Sequence, residues 1–446
     1  WTHRMMGHKS PEGAVVRSLF GSPPNAAEST PKFRRILALG WEAVMLLLKR
    51  RPADFASNAS PKLIIFFSAQ REDSERLVEK LNYPEFQNRV LISKRPGRWE
   101  CPNEISILGR MFGGALMASW WGVSLPFLLF FRNVSSQERI VEVARTILIA
   151  HCVGRIRPRR VFYLGGYTRY SNLAAFLIDK KTGAIVTRSC SPNPLVECYS
   201  DCVCGEFILT TPLQVPEYHR LKANWFVDRV LLRPGFHPPE LPKAAYRVAP
   251  SGNRTIGFLS SGLWRRFGSG NFGDKEQVDA EERAVVALGE YLKTQPDVNL
   301  VVYPHPREEK ADEEVFKLTS KHYHEILGSD RVTVLGVGSK TQEHFTDSNL
   351  LVSVWSTSAM EALFCGHKLL IMHLNYEPKY KVGRGWRHCW FAGLEGITVN
   401  SVEGLASRLE IALTMSRQDY FDVHKLGFLR NDAGSSEEIE IESARQ

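Results

Sequence analysis

Short apolar runs alternate with longer stretches of helical periodicity along most of this 446-residue chain. That is the pattern of strands and helices taking turns around a parallel sheet. Lys62 leads into Leu-Ile-Ile-Phe-Phe, read as a strand; a helix is expected over 71–81 and a second strand near Val90 to Ile92. After a helix around Ile140 to His151, strands are expected at Arg160 to Leu164, Ala184 to Thr187 and Phe207 to Leu209, with a helix over Asn172 to Lys180. The alternation breaks at Arg233-Pro234-Gly235-Phe236-His237-Pro238-Pro239, where proline and glycine at such density mark a hinge or boundary. It resumes at Thr255-Ile256-Gly257-Phe258-Leu259, with further strands at 300–303, 332–335, 350–354 and 369–372. Helices are expected over 276–293, 309–326 and after Ser358. The predicted fold is α/β: two doubly wound, Rossmann-like domains facing across a cleft, over 61–238 and 239–431.

Three stretches depart from that pattern. Residues 1–60 begin as a Gly-, Pro-, Ser- and Asn-rich arm. They continue as Lys32-Phe33-Arg34-Arg35, an apolar run from Ile36 to Leu48, and Lys49-Arg50-Arg51. A buried core helix explains the apolar part; an interfacial helix explains the basic flanks as well. Met111 to Phe131 holds no charged side chain and has the length of a membrane span. Its Gly113, Gly114, Gly122 and Pro126 fit a folded segment, in the core or against a membrane surface, better than a bare span. From Asp432 on the chain is acidic and polar, and 432–446 are expected to be a disordered tail.

Composition narrows the class. With 43% hydrophobic and 24% charged residues the chain is globular, and its length suits about two domains. The formal net charge is +9, and residues 1–60 hold nine Lys/Arg against four Asp/Glu. Such a balance suits phosphorylated substrates or anionic lipid. Nucleic acid is not expected as a partner, because the basic residues are not interleaved with an aromatic binding motif. Eight cysteines in this length fit a reducing compartment, and the start carries no cleavable apolar core. Cys190, Cys198, Cys202 and Cys204 cluster without the spacing of a zinc site, so no metal ligand is assigned.

Three segments of the C-terminal half carry candidate chemistry. Tyr303-Pro304-His305-Pro306-Arg307 follows a buried strand, at the carboxyl end where ligands sit in parallel sheets. An imidazole held between prolines there can donate to a phosphate or protonate it as it leaves. Asn349 to Trp355 reads as a strand feeding Ser356-Thr357-Ser358 into a helix that begins Ala359-Met360-Glu361-Ala362-Leu363. Backbone N–H groups and the helix dipole at such a start favour an anion; an ordinary N-cap explains one hydroxyl of the three. Ser260-Ser261-Gly262 leaves the first strand of this half, where small residues allow a ligand close to the backbone or simply make a turn.

Together these segments resemble the donor half of GT-B glycosyltransferases, and most of all the bacterial sialyltransferase-like group, which carries a His-Pro motif and a later Ser/Thr pair. CDP-glycerol glycerophosphotransferases and 3-deoxy-octulosonate transferases show a similar Ser/Thr–small–Glu–Ala–Leu–x–x–Gly–x–x–hydrophobic run, here Ser356 through Leu370. The resemblance covers residues 253–373, and the N-terminal half only by architecture. It implies that His305 contacts the nucleotide phosphate or aids its departure, and that Ser356, Thr357 and Ser358 hold that phosphate. Ser260, Ser261, Gly262, Pro306 and Arg307 join them as donor-binding candidates, with Glu361 near the ribose or base.

This chain also departs from the group. No acidic pair precedes a glycine in the N-terminal half, so the base for the acceptor hydroxyl is open among Glu197, Asp201 and Glu206. Gly165, Gly166, Arg169 and Tyr170 follow a strand and are the acceptor-side candidates. No Asp-x-Asp occurs, so the departing phosphate must be met by helix N-termini and by His305, Arg307 or Lys368. No Walker-type loop occurs. The expected function is metal-independent transfer of a sugar from a nucleotide sugar, CMP or UDP favoured, to a glycan or lipid-linked acceptor in surface polysaccharide synthesis. No cofactor is expected beyond that substrate. The expected place is the cytoplasm, peripheral on the inner face of an anionic membrane. A CDP-alcohol phosphotransferase or a sugar-nucleotide 2-epimerase on the same fold, and a non-catalytic nucleotide- or glycan-binding protein, are the alternatives.

Overall fold

The computed structural model describes residues 10–11, 14, 63–67, 89–93, 158–163, 171–190, 201–222, 225–233, 254–266, 275–305, 308, 313–336, 341–354, 356–377, 379–382, 385–388, 393–427 and 439–441. Two large sheets are built from consecutive portions of the chain, except that its last described strand returns to the first sheet.

The first sheet contains β1 (Leu63–Phe67), β2 (Arg89–Ser93), β3 (Arg160–Tyr163), β4 (Ile185–Ser189), β5 (Cys202–Leu209) and β6 (Trp225–Leu232). Its order is β2-β1-β3-β4-β5-β6, all parallel, so the strand order reverses between β1 and β3. Helix α1 (Ser171–Thr182) connects β3 to β4, and α2 (Gln214–Leu221) connects β5 to β6. Phe207, Tyr218 and Trp225 pack ring against ring in its core, with centroids 4.7 and 5.1 Å apart.

The acidic tail is a correction to the sequence reading. Ile439–Ile441 forms β15, an antiparallel edge strand beside β6. Composition alone suggests disorder there, but the Ile-Glu-Ile alternation suits an edge: Ile441 packs against the first core, and Glu440 reaches Arg229 at 3.3 Å. The strand β6 and helix α2 are also additions to the elements foreseen, and β5 is longer than expected because Cys202 to Cys204 belong to it.

The second sheet follows β7 (Arg254–Leu259), β8 (Val298–Tyr303), β9 (Val332–Val334), β10 (Leu350–Ser353), β11 (Leu369–Met372) and β14 (Thr398–Val399). Its order is β9-β8-β7-β10-β11-β14, again parallel, and the reversal lies between β7 and β10. Every residue of β10 and β11 is buried, as expected of central strands covered on both faces. A two-stranded ribbon, β12 (Lys379–Val382) and β13 (Gly385–His388), stands beside it. Gly257 in β7 allows the strands to sit this close: a Cβ there would lie 2.5 Å from Tyr303 Cε2 and 2.5 Å from Ser348 Oγ.

Among the described residues six helices accompany this sheet. They are α3 (Leu263–Arg266), α4 (Lys275–Thr294), α5 (Glu313–Leu327), α6 (Thr357–Phe364), α7 (Leu405–Thr414) and α8 (Arg417–Val423). Helix α4 turns Ala280, Ala284, Leu288 and Tyr291 inward, at helical spacing. Leu213, at the start of α2, is buried in this second core although its helix belongs to the first sheet.

Among the described residues no helix is long and apolar enough to cross a membrane. The expected basic helix over 32–51, the helices over 71–81 and 140–151, the uncharged run 111–131 and the Pro-rich segment 234–239 lie outside them.

Candidate functional site

The register puts the chemistry at one edge. Leu259, the last residue of β7, pairs with Tyr303 of β8 on one side and Ser353 of β10 on the other. Ser353 Oγ donates to Leu259 O at 2.9 Å and ties the two strand ends together. Ser260-Ser261-Gly262, His305 and Ser356 to Ser358 therefore all leave the sheet within a few residues of one row. That row flanks the point where the strand order reverses, the place where parallel sheets open a crevice.

The three segments are finished differently. After β10, Ser356 has extended backbone (φ −143°, ψ 135°) and begins α6, so the helix starts where the hydroxyl run predicts. Its carbonyl accepts from Ala359 N at 3.1 Å, but its side chain makes no cap bond. Ser356, Thr357, Ser358 and Glu361 are half-buried. Gly366, with φ +76°, ends the helix, and the chain turns into β11.

After β7 the turn is closed from inside. Ser260 and Ser261 are 3% and 2% exposed. Glu281 Oε1 accepts from Ser261 N at 2.5 Å, and its Oε2 accepts from Leu263 N at 3.0 Å. Gly262 N donates to Ser260 Oγ at 2.9 Å. Gly262 has φ +61°, and a Cβ on it would stand 3.0 Å from His305 Cβ, so glycine is needed on both counts. The turn expected to let a ligand approach its backbone instead holds the protein's own carboxylate.

After β8, His305 is half-buried, and its backbone is fixed by Glu308 rather than by prolines alone. Glu308 N donates to His305 O at 2.7 Å, and Glu308 Oε2 accepts from His305 N at 2.6 Å. Glu308 is wholly buried. It also accepts from Ser260 Oγ at 2.8 Å, Trp264 Nε1 at 2.5 Å and Tyr323 OH at 3.0 Å. Burial, and then the charge of Glu308, pushes the Glu281 carboxyl up to about 7. Burial raises Glu308 as well.

Glu281, Glu308 and Tyr323 were not foreseen. Their signal is present, since Glu281 falls on the apolar stripe of α4 with Ala284, Val285, Leu288 and Leu292, where an acid is out of pattern.

Lys368 is a correction. It reaches away from the anion site, donating through Nζ to Ala412 O at 2.6 Å, Leu413 O at 3.3 Å and Met415 O at 2.7 Å, at the end of α7. A cation suits a helix C-terminus, and this one is engaged there.

The N-terminal carboxylates are placed as follows. Glu206 sits mid-strand in β5, 2% exposed, with Arg160 at 2.9 Å and Arg229 at 3.7 Å on its two oxygens and Thr187 Oγ1 donating at 3.1 Å. A carboxylate so held is a counterion on the sheet face. Asp201 precedes β5, at the edge opposite the strands' carboxyl ends, and its carbonyl accepts from Asn172 Nδ2 at 2.7 Å. Gly165, Gly166, Arg169, Tyr170, Glu197, Pro306 and Arg307 lie outside the described residues. Cys190, just after β4, and Cys202 and Cys204, on β5, are buried free thiols, and burial pushes Cys190 up to about 12. Among the described residues no group of three or more His, Cys, Asp and Glu could hold a metal ion.

No protein-family model matches the chain, and no curated protein sequence matches it. Solved structures of similar shape include an α,α-trehalose 6-phosphate synthase from Burkholderia multivorans, 12% identical, over 83% of this chain and 93% of that one, TM-score 0.47. Another is a putative UDP-N-acetylglucosamine 2-epimerase from Listeria monocytogenes, 13% identical, over 82% and 91%, TM-score 0.46. A third is a mutant O-GlcNAc transferase from Thermobaculum terrenum, 14% identical, over 96% and 74%, TM-score 0.41. Likenesses of this size assign neither a donor nor a reaction to the chain.

Proposed function

We propose that the chain is a glycosyltransferase of the GT-B type whose nucleotide-sugar donor binds at the carboxyl edge of the second sheet, between the exits of β7 and β10. The observation that carries this reading is the pairing, across the strand-order reversal, of His305 with a helix start whose cap serine makes no cap bond. The N-terminus of α6 meets the charge of the donor phosphate with backbone N–H groups and its dipole. The hydroxyls of Thr357 and Ser358 add donors. His305 supplies a further donor or the proton that the leaving phosphate takes up. Glu361, one turn into α6, stands toward the nucleoside.

The acceptor, a glycan or lipid-linked sugar, belongs on the first sheet, where Gly165 to Tyr170 follow β3 and Glu197 follows β4 in sequence. Of the carboxylates considered as base, Glu206 has both oxygens committed to arginines, so Glu197 is the one to replace first. Docking of the basic-flanked run 32–51 on an anionic membrane would bring the enzyme to such acceptors, and salt-sensitive flotation with anionic vesicles checks it.

The test is a thermal-shift screen with CMP, CDP, UDP and GDP, followed by the matching sugar nucleotides. One nucleotide is expected to raise the melting temperature in proportion to its concentration over its dissociation constant. Sugar loss with release of that nucleotide, abolished in His305→Ala, supports transfer. No stabilisation by any of the four overturns the reading; inversion within an intact sugar nucleotide makes the protein an epimerase.

A further inference from the structure

Side chains tie down the exit of β10 from two neighbouring strands. The last paired residues of β10 and β11 are Ser353 and Ile371. Ser353 Oγ donates to Leu259 O of β7 at 2.9 Å. From the other strand comes His373, the residue after β11, whose Nε2 meets Val354 O at 3.1 Å. A carbonyl can only accept, so this ring carries its hydrogen on Nε2. Val354 is 1% exposed and His373 3%, so the bond is made out of reach of bulk water. Val354 stands two residues before Ser356, the cap of α6.

We infer that His373 is a positioning residue for the start of α6: its Nε2–H holds the Val354 carbonyl and so sets how the chain turns from β10 toward Ser356, Thr357 and Ser358. What those residues then hold rests on the donor-site reading above. Met372 and Leu374 on either side are buried, and a polar ring buried between them is costly without a partner. Its reach accounts for it, because the bond joins residues 19 positions apart. The ring is itself held. His373 N donates to Val399 O at 2.9 Å, and His373 O accepts from Tyr376 N at 3.1 Å. The Tyr376 ring meets the imidazole edge-on, with centroids 5.9 Å apart. Asn375 takes the left-handed turn (φ 51°), and Arg283 of α4 donates to Leu374 O at 3.2 Å. A ring fixed in this way is a rigid donor, not a side chain free to follow Val354.

Side-chain geometry separates this role from plain packing. Glutamine places an amide N–H close to where the imidazole Nε2–H lies. Asparagine places its amide nearer Nδ1 and falls short of Val354 O. Leucine fills the space and brings no donor. If His373 only packs, leucine is the mildest of the three changes; if it positions, glutamine is.

The experiment compares wild type with His373→Gln, His373→Asn and His373→Leu by hydrogen–deuterium exchange of peptides covering 353–358, and by calorimetric binding of CMP and UDP. Peptides covering β8, 298–303, serve as the reference. In His373→Asn and His373→Leu, exchange at 353–358 is expected about tenfold faster and binding about tenfold weaker, with the reference within about twofold. His373→Gln is expected within about threefold of wild type in both. A glutamine variant no better than the leucine variant, in folding, exchange or binding, overturns the positioning role. So does exchange at 353–358 that is unchanged in all three. Where the asparagine and leucine variants do not fold, ring-nitrogen NMR of histidine-labelled wild type decides, with the His373 signal identified by its loss in His373→Gln. A hydrogen on Nε2 is expected, and a ring protonated on Nδ1 alone overturns the assignment. If neither nucleotide binds wild type while exchange shows the glutamine rescue, the role of His373 at α6 stands and the donor-site reading falls.

Discussion

The exit of β7 and the start of α6 are the same kind of structure at the same edge: a strand end, a serine-containing turn, a helix. They are finished in opposite ways. After β7 the amides of Ser261, Gly262 and Leu263 are all taken, by Glu281 and Ser260, before any ligand arrives. After β10 the cap side chain of Ser356 makes no cap bond, and the serines and threonine remain half-buried. A helix start binds an external anion only where the protein has not already supplied one. The difference also explains the role of Glu281, whose carboxyl fills the start after β7, so that of the two starts α6 is the one proposed for the phosphate.

The largest expected effect comes from emptying the filled turn. Glu281→Ala strands two buried N–H groups and should lower stability by roughly 3 kcal/mol, read as a shift in urea midpoint. Acetate should restore part of that loss in the variant and none in wild type, because the vacated place is shaped for a carboxylate. A variant as stable as the parent would mean that these amides do not depend on Glu281.

Next in size is a pH effect with a defined sign. An acid whose folded value is raised binds its proton more tightly when folded, so its contribution is present below the ordinary 4.5 and is lost as pH climbs through about 7. Stability should fall by up to roughly 3 kcal/mol across that window. His367 works in the other direction: burial, then Arg417, pushes it down to about 4, so stability falls as pH drops below 6.5. Denaturation midpoints in a background with His322, His367 and His424 all replaced by Asn remove the opposing histidine limbs and read Glu281 and Glu308 together; a flat profile between about pH 5 and pH 7 would contradict the raised carboxyls.

A smaller effect, on binding rather than folding, is expected at the other start. Replacing Thr357 and Ser358 together by Ala should weaken nucleotide binding about tenfold and change stability by less than about 1 kcal/mol. An unchanged dissociation constant would remove α6 from the site.

How much of this was legible in the sequence depends on range. The strands of both sheets show as apolar runs because central parallel strands are buried on both faces, and β10 and β11 are plain for that reason. The start of α6 was legible because a strand, three hydroxyls and a helix are contiguous. The Glu281–Ser260–Glu308 link was not, since it joins residues 21 and 48 positions apart. Only the misplaced acid on the α4 stripe pointed to it. Lys368 misled for a related reason: its position after α6 suggested the phosphate, but its four-carbon stem reaches the far end of α7. The tail misled because composition reports the average of 432–446 and not the three residues that pair with β6.

The finest comparison sets two serines side by side, each at the residue before a helix. Ser416 begins α8 with φ −60° and ψ 157°, and its Oγ accepts from Asp419 N at 3.1 Å. Ser356 begins α6 with a comparable extended backbone and no such bond. If a cap serine stabilises through that bond, Ser416→Ala should lower stability by about 1 kcal/mol. Ser356→Ala should lower it by less than about 0.5 kcal/mol, as a half-buried serine with no cap bond to lose. In nucleotide binding the order should reverse, Ser356→Ala weakening it a few-fold and Ser416→Ala leaving it unchanged. Thermal melts of both variants with and without the bound nucleotide read all four numbers. Equal losses of stability at the two positions would make Ser356 an ordinary cap, and would return the anion site at α6 to a structural feature of the helix.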